Sequence, residues 1–193
     1  MSEYRRPDHF TKKAKAQGYA ARSVFKLEEI DERAKLLRRG LRVVDLGCFP
    51  GSWSRYAMER IGDGVLVGVD LEEPKGIPGI FIARSVYEVT SDMLREELGG
   101  PADVVLSDMA PSTTGDRTGD HLRQIGLAER ALQLATELLR PGGAFVVKVF
   151  EGADAQKYVE QIKRHFSTVR RMKPEATRSR SVELFVVATG FRG

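Results

Sequence analysis

Residues 41–70 read LRVVDLGCFPGSWSRYAMERIGDGVLVGVD, and the order of signals in this stretch decides the fold. Val43, Val44 and Leu46 belong to a short apolar run that closes on Gly47, and the turn Gly47-Cys48-Phe49-Pro50-Gly51 follows. Residues 53–61 then have helical spacing, and Val65-Leu66-Val67-Gly68-Val69-Asp70 is a second apolar run. Strand, glycine turn, helix and strand in that order make one βαβ unit with a parallel pair of strands. Glycine lets backbone approach a ligand that a Cβ would push away, at the sheet edge where doubly wound folds bind nucleotides.

The turn also limits the ligand. Its spacing is G-x-x-x-G, not the G-x-G-x-x-G of a dinucleotide site, and the Gly-Lys-Ser/Thr of a P-loop is missing. Asp45 at the end of the first strand repels phosphate and suits a cation instead, such as the amino group and sulfonium of S-adenosylmethionine. Asp70 ends the second strand 19 residues after Gly51, where a carboxylate can accept hydrogen bonds from both hydroxyls of an adenosine ribose. Taken singly, the glycines are a tight turn, Asp70 a strand end and Trp53 a packing residue. The ordered combination is what points to a ligand.

Outward from this unit the alternation continues. Residues 79–83, 102–108 and 143–150 are further apolar runs rich in Val, Ile and Phe, and 90–98, 122–139 and 155–165 have helical character. Upstream, Val24, Leu27, Ile30, Ala34 and Leu37 fall at intervals of three and four, which predicts an amphipathic helix over 22–37 stopped by Gly40. Downstream, STVRRMKP and SVELFVVATG are strand-like and separated by polar residues without helical period, so they should pair antiparallel. The expected fold is α/β: a Rossmann-like, seven-stranded, mostly parallel sheet with a terminal antiparallel hairpin. Residues 1–193 form a single domain in this reading.

The 193 residues include 31 Lys and Arg against 27 Asp and Glu, with one Cys and three His. One cysteine makes no internal disulfide, and His9, His121 and His165 are too scattered to suggest a metal ligand set. No apolar stretch reaches membrane-span length and the first thirty residues lack a signal-peptide core, so a cytoplasmic protein is expected. The charge is divided: residues 1–42 carry 12 basic and 6 acidic side chains, 43–162 carry 11 and 19, and 163–193 carry 8 and 2. Basic ends around an acidic middle fit a polyanion held by the flanks. The arm 1–20, with Tyr4, Phe10 and Tyr19 among its lysines, reads as loosely ordered and outside the core.

Four polar residues resist explanation as packing. Asp108 follows strand 102–107 at the edge that carries the glycine turn. Lys148 interrupts the apolar run 143–150, where an unpaired charge costs several kcal/mol. Glu183 opens another apolar run, and Lys26 lies among Val24, Phe25 and Leu27. An ion pair of Lys148 with Asp108 or with Glu183 would be the purely structural account.

These residues bring a family into view. Ala21-Arg22-Ser23-Val24-Phe25-Lys26-Leu27, Asp45-Leu46-Gly47-x-x-Pro50-Gly51-x-Trp53, Ser107-Asp108-Met109-Ala110-Pro111, Lys148-Val149-Phe150 and Arg178-Ser179-x-Ser181-x-Glu183 resemble, block by block and in order, the FtsJ/RrmJ ribose methyltransferases. The resemblance implies S-adenosylmethionine-dependent 2′-O-methylation of a uridine in 23S ribosomal RNA of the large subunit, by a monomer. It places the family's Lys-Asp-Lys-Glu tetrad on Lys26, Asp108, Lys148 and Glu183. It also implies cofactor contacts from Asp45, Gly47, Pro50, Gly51, Ser52, Trp53, Asp70, Leu71, Ser85, Val86 and Asp108. Where the family has an acidic residue at the adenine, this chain has Ala83-Arg84-Ser85-Val86-Tyr87, which leaves the backbone of Ser85 or Val86 to make that contact.

Two roles stay open for Lys148: the base that takes the 2′-hydroxyl proton, or a fixed cation that stabilises the developing alkoxide. RNA is expected across Lys12, Lys13, Lys15 and Arg22 and across Arg170, Arg171, Arg178 and Arg180, with Phe10 and Tyr19 available to stack on bases. The rival readings are a transfer-RNA enzyme with the same tetrad, a non-catalytic RNA-binding assembly factor, and a nicotinamide-dependent oxidoreductase. The G-x-x-x-G turn and the lack of a Tyr-x-x-x-Lys pair weigh against the last.

Overall fold

The computed structural model describes residues 8–111, 115–178 and 181–193. In chain order the elements are α1 (His9–Ala16), α2 (Val24–Ala34), β1 (Arg42–Leu46), α3 (Ser52–Ile61), β2 (Val65–Asp70), β3 (Ile80–Ala83), α4 (Ser91–Leu98), β4 (Ala102–Ser107), α5 (Arg117–Leu138), β5 (Leu139–Phe150), α6 (Ala153–His165), β6 (Phe166–Met172) and β7 (Glu183–Phe191). The seven strands form one sheet in the order β3-β2-β1-β4-β5-β7-β6. All pairs are parallel except β5·β7 and β6·β7, which are antiparallel. The strand order reverses between β1 and β4, so the carboxyl ends of those strands open the crevice where such sheets hold ligands.

Alternation along the buried strands splits the core into two layers. Val44 and Leu46 of β1 pack with Val105 of β4, Val147 of β5 and the apolar faces of α4, α5 and α6. Val43, Val104, Leu106, Val146 and Phe185 face the other way, against α2 and α3. Leu27 and Ile30, at the predicted helical spacing, supply the α2 side of that second layer and are fully buried. Each such side chain contributes roughly 2 kcal/mol through the apolar area it removes from water.

Three differences from the sequence expectation have a local physical reason. Helix α2 stops at Ala34, well before Gly40. Lys35 adopts a left-handed φ of 53°, and the buried Asp31 carboxylate accepts from Leu36 N and Leu37 N at 2.9 and 2.8 Å, which turns the chain out of the helix. Helix α5 begins at Arg117, where Asp116 caps it by accepting from Thr118 N.

The third difference is the arm. Residues 8–20 are not loose: Asp8 caps α1 by accepting from Thr11 N at 2.9 Å, Ala14 is buried, and the Phe10 ring lies 5.7 Å from that of Phe25. Tyr19 donates from its hydroxyl to Glu59 at 2.6 Å, beneath the Arg55 guanidinium. The aromatics read as free stacking groups are thus packed on α2 and α3. Tyr4 lies outside the described residues.

Candidate active site

The G-x-x-x-G turn is folded back onto the end of β2. Gly47 N and Cys48 N donate to the Val69 carbonyl at 2.8 and 3.3 Å, and Phe49 N donates to Asp70 Oδ2 at 2.9 Å. Both glycines have φ values that L side chains rarely adopt, 82° at Gly47 and 103° at Gly51. Neither has room for more than hydrogen: a Cβ on Gly47 would sit 2.7 Å from Met109 Cγ, and one on Gly51 would sit 2.2 Å from Ile77 Cδ1.

Beside the turn lies a cleft of about 380 Å³, lined by Gly47, Phe49, Val69, Asp70, Leu71, Arg84, Ser85, Val86, Asp108, Met109, Ala110 and Leu127. Gly47, Asp70, Leu71, Ser85, Val86 and Asp108 were expected there. Asp70 accepts from Phe49 N with one oxygen and from Leu71 N, 2.7 Å away, with the other, so the carboxylate is fixed and keeps lone pairs for a diol. Ser85 N is already engaged, donating to Glu88 at 3.1 Å. Phe49, Met109, Arg84 and Leu127 also line the cleft and were not expected. The sequence signal for Phe49 was an aromatic between two glycines of a tight turn, and 46% of it remains exposed.

Five other expected contacts, Asp45, Pro50, Gly51, Ser52 and Trp53, lie away from the cleft lining. Ser52 is buried and its hydroxyl accepts from Ala21 N at 2.7 Å. Trp53 is buried in the second core layer, donating from Nε1 to the Ser23 carbonyl at 2.9 Å with its ring 5.7 Å from Phe185. Both tie the segment before α2 to the start of α3. Pro50 is exposed behind a cis Phe49–Pro50 bond, and Gly51 is enclosed by Pro74 and Ile77.

Asp45 is fully buried on the α3 side of β1. Its Oδ2 accepts from Ser54 Oγ at 2.6 Å, while Oδ1 has no hydrogen-bond partner among the described residues. Burial pushes this carboxyl up to about 7, the nearby Asp108 and Asp70 add to the shift, and the Ser54 hydrogen bond opposes it. Because the folded value lies above that of an unfolded aspartate, the folded protein holds the extra proton between roughly pH 4 and 7, and stability falls as pH rises through that window. Asp45→Asn, which cannot ionise, should therefore gain on the wild type in the ligand-free state as pH goes from 5 to 8. The gain is at most about 1.4 kcal/mol per pH unit. Melting temperatures at the two pH values check this; a constant offset would refute it.

The expected tetrad assembles as two ion pairs on one face of the sheet. Lys148 Nζ lies 2.9 Å from Asp108 Oδ1 and donates to the Asp108 carbonyl at 2.6 Å. Lys26 Nζ pairs with Glu183 Oε1. In the antiparallel register Lys148 stands opposite Phe185, two residues from Glu183, and Lys26 Nζ lies 5.6 Å from the centroid of the Phe185 ring. Asp45, Asp108, Lys148 and Glu183 therefore come from the adjacent strands β1, β4, β5 and β7 or their ends, with Lys26 above them from α2. Of the two structural partners considered for Lys148, the geometry selects Asp108, and Asp108 also lines the cleft. The tetrad is thereby joined to the cleft through one carboxylate.

Around this centre, the two basic chain ends meet. Arg22 is held by Asp8 and by the Ala176 carbonyl, and Glu175 N donates to Glu29 at 2.8 Å. Partial burial and the neighbouring Arg178 lower the Arg22 guanidinium below its ordinary value, with Glu183 opposing. Lys12, Lys13 and Lys15 are exposed on α1, Arg170 and Arg171 on β6, and Arg178 on the β6–β7 connection. Two of these are partly engaged: Lys13 Nζ sits 4.3 Å from the centroid of the Phe25 ring, and Arg171 donates to Gln156. Arg180 lies outside the described residues. No helix among the described residues is long and apolar enough to cross a membrane.

Comparison with known proteins places the chain among methyltransferases. The FtsJ-like methyltransferase family pattern matches residues 19–191. The "Ribosomal RNA large subunit methyltransferase E" of Paramagnetospirillum magneticum is 48% identical, over 96% of this chain and 80% of that protein. The protein of the same name from Desulfatibacillum aliphaticivorans is 45% identical, over 96% of this chain and 91% of its own length. Among solved structures, a chain described as a ribosomal RNA methyltransferase from Plasmodium falciparum superposes with a TM-score of 0.78 at 25% identity, covering 91% of this chain and 100% of that one.

Proposed function

This chain belongs to the FtsJ-like methyltransferase family, and on that premise we propose that it methylates the 2′-oxygen of a uridine ribose in 23S ribosomal RNA of the large subunit, using S-adenosylmethionine. The observation that carries the reading is the double engagement of Asp108, which lines the cleft and holds Lys148. Both relatives named above, 45–48% identical to this chain, carry a name that specifies the large ribosomal subunit.

The residues present suit the cofactor. A cleft of about 380 Å³ is in the range of small-molecule sites. Asp70 would take the ribose hydroxyls, Leu71 and Val86 would flank the adenine, and the turn at Gly47 would admit the rest. Asp45 has one buried oxygen unpartnered among the described residues but does not line the cleft, so its pairing with the cofactor's amino group rests on the family resemblance alone. The cofactor supplies an activated methyl on sulfur. The chain's own task is to aim the ribose hydroxyl and take up its proton, because a 2′-hydroxyl is a weak nucleophile at neutral pH. Lys148 is the proposed base: its Nζ is aimed by the Asp108 carbonyl and carboxylate. Lys26, fixed by Glu183, would steady the ribose or its phosphate. RNA would cross the exposed cations of α1, β6 and the β6–β7 connection, where phosphate contacts position the strand. A monomer working in the cytoplasm on a ribosomal particle completes the reading.

Labelled methyl transfer to unmethylated large subunits, free 23S RNA and transfer RNA tests it. The expected result is label on the large subunit at a ribose. Label on transfer RNA alone would overturn the substrate. No label anywhere, with S-adenosylhomocysteine still raising the melting temperature, would leave the assembly-factor reading; protection by NAD instead would return the oxidoreductase.

A further inference from the structure

Gln124, on α5, is fully buried and makes two hydrogen bonds to one strand. Its Nε2 donates to the Lys148 carbonyl at 2.7 Å, and its Oε1 accepts from Phe150 N at 3.2 Å. Those two backbone groups flank Val149. In a parallel ladder, one residue of a strand donates its N–H to residue i−1 of its neighbour and accepts from residue i+1. The Gln124 amide makes the same pair of contacts about Val149, so it stands where a further peptide of β4 would stand.

That peptide is missing because β4 ends early. Its last pairing with β5 is Ser107 with Val147. At Asp108 the chain has left the ladder, and the carbonyl accepts from Lys148 Nζ instead of bonding to the next strand. The departure gives Lys148 its two oxygen partners. It also strips β5 of a neighbour over the residues that carry the lysine, and buried backbone groups left unpaired there would each cost about 1–3 kcal/mol.

We propose that Gln124 is a positioning residue for the methyl-transfer centre: it substitutes for the missing strand, keeps β5 extended through Phe150, and so holds Lys148 Nζ on Asp108. The inference rests on the reading of Lys148 given above. A helix side chain does this work, so β4 is free to turn away and present Asp108 to the cleft.

The test compares wild type with Gln124→Met, which keeps length and volume without either hydrogen bond, and with Gln124→Ala, which admits water. Backbone amide exchange at Phe150, the melting temperature, S-adenosylhomocysteine affinity, and kcat and KM for methyl transfer are read on the full chain. In Gln124→Met the Phe150 amide should exchange at least about tenfold faster. At temperatures well below melting, kcat should fall about 10- to 100-fold, the scale of a small misplacement at a reacting centre. Cofactor affinity and both KM values should stay within about twofold, since Gln124 does not line the cleft. Gln124→Ala should recover part of the rate, because a water can bridge the two groups. A purely structural glutamine would lower the melting temperature and leave kcat alone, and that result overturns the proposal. Unchanged exchange at Phe150 overturns it too. If wild type transfers no methyl to any RNA, the functional reading fails, while the exchange measurement still decides whether Gln124 clamps the strand.

Discussion

Lys148→Ala should lower methyl transfer at least about 1000-fold, or about 4 kcal/mol in the barrier, while binding S-adenosylhomocysteine as well as wild type does. The split follows from where the side chain sits. Lys148 is not among the residues lining the cleft, and its contacts with Asp108 are directed from the neighbouring strand. Loss of Nζ removes the basic group that two Asp108 oxygens aim, yet it leaves Asp70, Leu71, Val86 and the glycine turn in place. It also leaves Asp108 without its cation, which in a closed interior would cost about 3 kcal/mol or more. Asp108 is only partly buried, its side chain 16% exposed at the cleft, so solvent discounts that cost. Lys148→Met fills the same volume as the aliphatic stem and provides the folding control: both variants should lose activity alike, whatever their difference in melting temperature. Activity within about tenfold of wild type would remove Lys148 from the chemistry. Loss of cofactor binding in a folded variant would make it a binding residue instead.

The parts legible in the sequence were those written in short-range pattern. The β1–α3–β2 unit could be read because apolar alternation, a glycine turn and helical spacing occur within thirty residues. Lys148 could be singled out because a charge in an apolar run contradicts its neighbours. The missed features depend on partners far along the chain. The resemblance puts Ser52 and Trp53 beside the cofactor, whereas their hydrogen bonds go to Ala21 and Ser23, about thirty residues away, and Trp53 packs as it reads when taken singly. Phe10 and Tyr19 read as free aromatics until Phe25 and Glu59 are folded beside them. The stop of α2 lies in Asp31, inside the helix, whose carboxylate reaches forward to the backbone N–H groups of Leu36 and Leu37; Gly40 is not needed for it. Gln124 has no sequence signature at all. A polar residue on an otherwise mixed helix looks solvated, and only the early end of β4 makes it a strand substitute.

The glycine turn offers the second large effect, with its own control built into the fold. Gly47→Ala and Gly40→Ala place the same methyl at nearly the same backbone conformation, φ 82° and 78°. The left-handed penalty, about 1–2 kcal/mol, should therefore be common to both. They differ in surroundings. Around Gly40 no atom of the described residues lies within 4 Å of the new Cβ, whereas at Gly47 it meets Met109 Cγ at 2.7 Å and Met109 N and Cα at 3.1 Å. The side chain can swing, but the two backbone atoms can retreat only by displacing residue 109, which is joined directly to Asp108. Overpacking of this kind typically costs another 1–3 kcal/mol. Gly47→Ala should accordingly be the less stable of the two by about 2 kcal/mol in chemical denaturation. It should also bind S-adenosylhomocysteine at least about tenfold more weakly, because both Gly47 and Met109 belong to the cleft wall. Gly40→Ala should bind it normally. Equal affinities in the two variants would mean that the turn is only a turn, and that the cofactor reading of this cleft is wrong even if the fold is right.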